Sequence, residues 1–139
     1  MLQSFLWVLS DLQVWGWTVK TYAGKRINGQ GVLVMICDGQ RPINPLEHIE
    51  RHSPDGFEFG YHGSGPADLA LSILTDVLGG DKRQATIFYQ KFKEQFVGKW
   101  RGDSFEIEES TIIAWLNLQW RNLARDTGAV IPPRFAEGV

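Results

Sequence analysis

The sequence predicts an α+β domain. A small antiparallel sheet, made of an N-terminal hairpin plus one or two short strands, is packed with three main helices and an N-terminal amphipathic helix. Three observations carry this reading. "TVKTYAGKR" and "GVLVMIC" are strand-like runs separated by an Asn28-Gly29 turn signal. Beyond residue 65, three runs place apolar residues at helical spacing. The 139 residues, 43% hydrophobic and 22% charged, carry no repeat or low-complexity tract, which fits one globular domain.

Taken in order, residues 1–19 form an apolar extension. Leu2, Phe5, Leu6, Leu9 and Leu12 recur at helical spacing, while Trp7, Trp15 and Trp17 lie partly off that face. Gln3, Ser4, Ser10, Asp11 and Gln13 interrupt the run, and no basic residue precedes Lys20, so neither a membrane span nor a signal peptide is indicated. Such a segment covers either its own domain or a neighbour. The main domain is set at 20–126, with a tail at 127–139.

Within the domain, the hairpin ends at Asp38-Gly39. "RPINPLEHIERHSPDG" carries three prolines and reads as irregular, with room for one helical turn at Leu46 to Ile49. "FEFGY" alternates and is a short third strand or an extended lead. The first main helix begins after Gly65, with Pro66 at a first-turn position where its missing N–H costs nothing, and Gly79-Gly80 ends it. Asp68 falls in the first turn, opposing the positive helix end and offering its N–H groups an internal partner. Asp81 and Gln84 form a capping-box pattern for the second helix, whose apolar stripe is Ala85, Phe88, Phe92 and Phe96. "SFEIEE" is a candidate fourth strand, and the third helix starts at Glu109 or Ser110. Trp115 and Trp120, five apart, do not share one face, so one is expected at the surface or against a partner.

Composition narrows the function classes. A net charge of −2 does not indicate a broad grip on nucleic acid, which needs basic surplus to neutralise phosphates. Cys37 is the lone cysteine, so no intrachain disulfide or Cys-x-x-Cys metal site forms, and a reducing cytoplasm is the expected compartment. His48 and His52 are four apart in "HIERH", but Pro45 and Pro54 limit any helix there, so metal binding is not favoured. Ser64, His62 and Asp68 lack the nucleophile-elbow spacing, which leaves hydrolysis unsupported.

The candidate site is "GYHGSGPADL" (60–69). Unpaired N–H groups at a helix start attract anions, and Gly63, Ser64 and Gly65 allow close approach. The stretch lacks the Lys-Ser/Thr of a P-loop. A helix cap built for close packing explains the same residues. Tyr22, Lys25 and Arg26 cluster at the end of the first strand and, with Arg41, Arg51 or His52, are positioned to meet phosphate oxygens. Tyr61, with Phe57 and Phe59, offers a base a stacking surface. The other reading is a solvated hairpin end beside core aromatics.

"KTYAGKR" (20–26), "HSPDGFEFGYHGSGPADLALSIL" (52–74) and "YQKFK" (89–93) resemble the domain-of-unknown-function family 6166 over roughly residues 20 to 117. His62 stands where that pattern has glycine, a place to crowd the loop or to touch a ligand. The resemblance implies no activity. Its spread over bacteria, archaea, phages and plasmids implies a role in host–virus conflict.

The expected function is therefore non-catalytic binding of a phosphorylated, nucleotide-like molecule, in concrete form a sponge for a nucleotide immune signal. The site residues are Tyr22, Lys25, Arg26, Tyr61, His62, Gly63, Ser64 and Gly65, with neither cofactor nor metal. A homo-oligomer through the N-terminal segment and third helix is expected, without membrane or nucleic-acid partners. Alternatives are a protein-interaction module or host-factor inhibitor with a purely structural glycine loop, and a nucleotide-processing enzyme.

Overall fold

The computed structural model describes residues 19–28 and 30–132. The expected N-terminal helix, apart from Val19, and residues 133–139 of the tail lie outside them. Four strands form one antiparallel sheet: β1 (Lys20–Ile27), β2 (Gly31–Asp38), β3 (Arg41–Pro45) and β4 (Ser104–Glu108), in the order β3-β2-β1-β4. Three helices follow the expected order: α1 (Ser64–Val77), α2 (Lys82–Gln95) and α3 (Glu109–Thr127). The fold is α+β, as expected.

Strand alternation decides which face meets the helices. Tyr22, Val34, Phe105 and Ile107 belong to the same core as α1, α2 and α3. α1 is the central helix: 12 of its 14 residues are buried, which is why its sequence leaves almost no polar face. Gly79 and Gly80, both at positive φ, end it, with Gly80 N–H donating to the Thr75 carbonyl at 2.8 Å and Gly79 N–H to Asp76 at 3.1 Å. The Asp81 cap forms as expected: its Oδ1 accepts from the Gln84 N–H at 3.0 Å.

Two expectations are corrected. The third strand is "RPINP", read above as irregular, and "FEFGY" takes the other course given for it, a lead into the loop without a ladder. Pro42 and Pro45 are tolerated because β3 is an edge strand with every residue exposed. Neither Trp115 nor Trp120 seeks a partner. Both are buried in their own domain, Trp115 against Phe92 at 5.3 Å and Trp120 against Phe88 at 4.8 Å. An outward-facing tryptophan therefore no longer argues for an oligomer; Leu118 is the large apolar residue that α3 exposes.

Gly24 shows how tightly the sheet meets the aromatics. A Cβ there would lie 2.0 Å from Phe105 Cε2, and the Phe105 ring is stacked on Trp100 at 4.1 Å. The residue has to be glycine so that this ring can lie across β1. Gly24→Ala is expected to cost about 1–3 kcal/mol, the usual penalty of overpacking. Urea denaturation at unchanged m-value measures it.

Candidate functional site

The predicted residues divide into three groups. Tyr22 is fully buried, and its hydroxyl donates to Asp76 Oδ2 at 2.5 Å. Asp76 stands at the far end of α1 from Ser64, about 18 Å away by helical rise. Tyr22 is thus a core residue, separate from the glycine loop. Lys25 is exposed, but strand alternation puts it on the sheet face opposite Arg26.

Arg26 does reach the loop region, in a structural role. Its guanidinium lies 3.9 Å over the Phe59 ring, and Nη2 donates to the Phe59 carbonyl at 2.8 Å and to Glu58 Oε1 at 3.1 Å. Nη1 donates to the Gly102 carbonyl. The planar fork clamps the end of β1 onto the approach to the loop, leaving little of it for a ligand.

Tyr61, His62, Gly63, Ser64 and Gly65 are brought together at the start of α1. Gly63 is the N-cap, with extended backbone and no side-chain cap, and its carbonyl accepts from the Ala67 N–H at 3.0 Å. Pro66 has no N–H, so Ser64 and Gly65 supply the free donors of the first turn. The Tyr61 ring lies over Gly63, where a Cβ would come within 2.4 Å of Cε2, yet the residue is 52% exposed. The His62 ring lies against Gly98 in the 3-10 turn Val97–Lys99, so a side chain at 62 is accommodated by a glycine at 98. Gly65 is buried against Glu58: a Cβ would sit 2.7 Å from Glu58 Cβ and 3.0 Å from its amide nitrogen. Close packing therefore explains Gly65.

Asp68 corrects a further expectation. It lies one turn into α1 and points away from the free N–H groups, with no exposed surface. Its carboxylate accepts from the N–H groups of Arg51, His52 and Ser53 at 2.9–3.2 Å and pairs with His48 Nε2 at 3.0 Å. Burial alone would raise the Asp68 carboxyl. The bonds from His48, Ser53, Arg51 and His52 outweigh it and hold the group below the usual carboxylate range. Ser72 Oγ adds a bond from the Ile49 N–H at 2.8 Å. Together they clasp the irregular 46–57 segment to α1.

The two histidines of "HIERH" part company: His48 goes to Asp68, while His52 Nε2 meets Tyr89 Oη at 2.8 Å. Among the described residues, no three His, Cys, Asp or Glu side chains are grouped to hold a metal ion. Sequence reasoning missed Arg101. Its Nη1 donates to the carbonyls of Trp100, Gly98 and Gly60 at 3.0, 3.1 and 3.2 Å, placing a cation beside the loop. No motif marks it, because the partners come from segments up to 41 residues away.

Residues 22–118, about 70% of the chain, match the model of the family of unknown function DUF6166. The chain belongs to that family. No curated protein and no solved structure matches it. The DUF6166 span includes the glycine loop, the Asp68 clasp and Arg101, whereas Lys20 precedes it and the end of α3 follows it. No helix among the described residues is long and apolar enough to cross a membrane.

Proposed function

We propose that this DUF6166 domain acts by binding rather than by catalysis, and that its ligand is a small phosphate-bearing, nucleotide-like molecule received at the start of α1. One observation carries the reading. The first turn of α1 holds no acidic residue, since Asp68 is engaged with the 48–53 segment, so nothing within the helix competes for the Ser64 and Gly65 amides. Exposed Tyr61, His62 and Ser64 surround those amides, and Arg101 takes the charge role first given to Lys25 and Arg26. A base stacks on Tyr61 while the phosphate meets the helix end. In its concrete form the protein is a sponge that retains a nucleotide signal.

Ser64→Asp tests this. A carboxylate at the first helical position stabilises α1 by about 0.3–1 kcal/mol while repelling an anion. The variant is expected to melt at or above the parent and to lose the thermal shift that a panel of linear and cyclic nucleotides gives the parent. Lys25→Ala is expected to leave that shift intact. A shift retained by Ser64→Asp overturns the reading.

One observation favours a second reading, a protein-interaction module. Leu33 and Ile27 are exposed on the sheet face away from the helices, with exposed Lys25 beside both. An apolar partner surface with an acidic group to meet Lys25 fits that face. Loss of a partner protein on Leu33→Glu, with nucleotides inert, would favour it.

A further inference from the structure

The other end of α1 carries a second feature, about 18 Å from the glycine loop by helical rise. The edge strand β3 leaves a cavity of about 430 Å³ at this end of α1, lined by Lys20, Ile36, Asp38, Ile43, Asn44 and Asp76, with Cys37 behind. That volume lies within the range of about 300–1,000 Å³ typical of small-molecule sites.

Its lining carries two carboxylates against one ammonium. Lys20 Nζ is shared between Asp76 Oδ2 at 2.8 Å and Glu109 Oε2 at 3.1 Å, so one ammonium serves two carboxylates before Asp38 is considered. Asp76 stands in the last turn of α1, where the helix's partial negative charge adds to its own. Asp38 Oδ1 is buried and has no hydrogen-bond donor among the described residues. Arg41, its neighbour across the β2–β3 ladder, forms no ion pair with it among those residues. A buried carboxylate oxygen without a donor is a costly arrangement, and a cation drawn to the exposed part of the same carboxylate offsets it. Ile36 and Ile43 supply apolar walls, and the Asn44 amide sits beside them.

We propose that this cavity is a second ligand site, for a small molecule with an ammonium or guanidinium head and a short aliphatic body. The head meets Asp38 and Asp76, and the body lies along Ile36 and Ile43. The site is independent of the anion reading at the glycine loop, because the two lie at opposite ends of α1 and ask for opposite charge.

Agmatine is the probe, with butyrate as an anion of similar reach. Titrated into the isotope-labelled full chain, agmatine is expected to give saturable amide shifts at residues 36–44 and around Asp76, and butyrate none there. Asp38→Asn is expected to weaken agmatine at least about tenfold, the equivalent of one charge-assisted hydrogen bond. Ile43→Lys, a change at a half-exposed edge position that leaves the core untouched, is expected to block the site with its own ammonium. The proposal is overturned by non-saturating or scattered shifts, by an equal response to butyrate, or by Asp38→Asn and Ile43→Lys variants that bind as the parent does.

Discussion

Asp68→Ala is expected to lower stability by about 3–5 kcal/mol, the usual consequence of breaking a buried, fully bonded charge. The substitution strands the N–H groups of Arg51, His52 and Ser53 and removes the partner of His48, around a carboxylate that itself has no exposed surface. For a domain of this size the melting temperature should fall by roughly 10–15 °C. Asp68→Asn keeps the shape but turns an acceptor-only group into a mixed donor and acceptor, so it should recover only part of the loss. The pH dependence has a definite sign. The folded carboxyl titrates below its unfolded value of about 3.9, so its stabilisation is fully present above that value. The contribution drains away as pH falls through the lower, folded value. Acid titration of the parent and of Asp68→Asn should therefore begin to draw together only below about pH 4, and parallel curves throughout would contradict the clasp.

Gly65→Ala is expected to cost about 2–3 kcal/mol, at the upper end of overpacking. The new methyl would meet the Glu58 backbone, which has little freedom to yield because Arg26 holds Glu58 and Phe59 from the other side. Gly63→Ala is the contrast. The atoms nearest its methyl would belong to the exposed Tyr61 ring, and φ of −150° suits any residue, so the loss should stay below about 1 kcal/mol as Tyr61 swings aside. The pair separates the two explanations of a glycine-rich helix start by denaturation alone. Equal losses at 63 and 65 would show that the loop is not packed as described.

Much of the fold was legible because it is written locally. The hairpin follows from alternation and turn residues, α2 from Asp81 with Gln84, and the end of α1 from Gly79-Gly80. β3 was not legible, because Pro42 and Pro45 signal a break and only the sheet order shows that their missing N–H groups fall on an edge. Tyr22, Gly24 and Arg26 visibly share a strand face. Nothing local says that the face is core at Tyr22 and a clamp at Arg26. The role of Asp68 was misread because its partners fold back from 15 to 20 residues upstream, so the first-turn argument applied a local rule where a tertiary contact prevails.

The sheet order also sets a timetable for synthesis. β1 is an interior strand, yet its second neighbour, β4, lies about 80 residues further along the chain. At about 5–20 residues per second, the flank of β1 waits roughly 4–16 s for Ser104–Glu108 to be translated. During that interval an apolar hairpin presents an open edge on the ribosome, the kind of surface on which nascent chains mispair. Slowed translation between residues 46 and 103 should therefore lower the soluble yield of this protein, while the same delay placed before residue 20 should not.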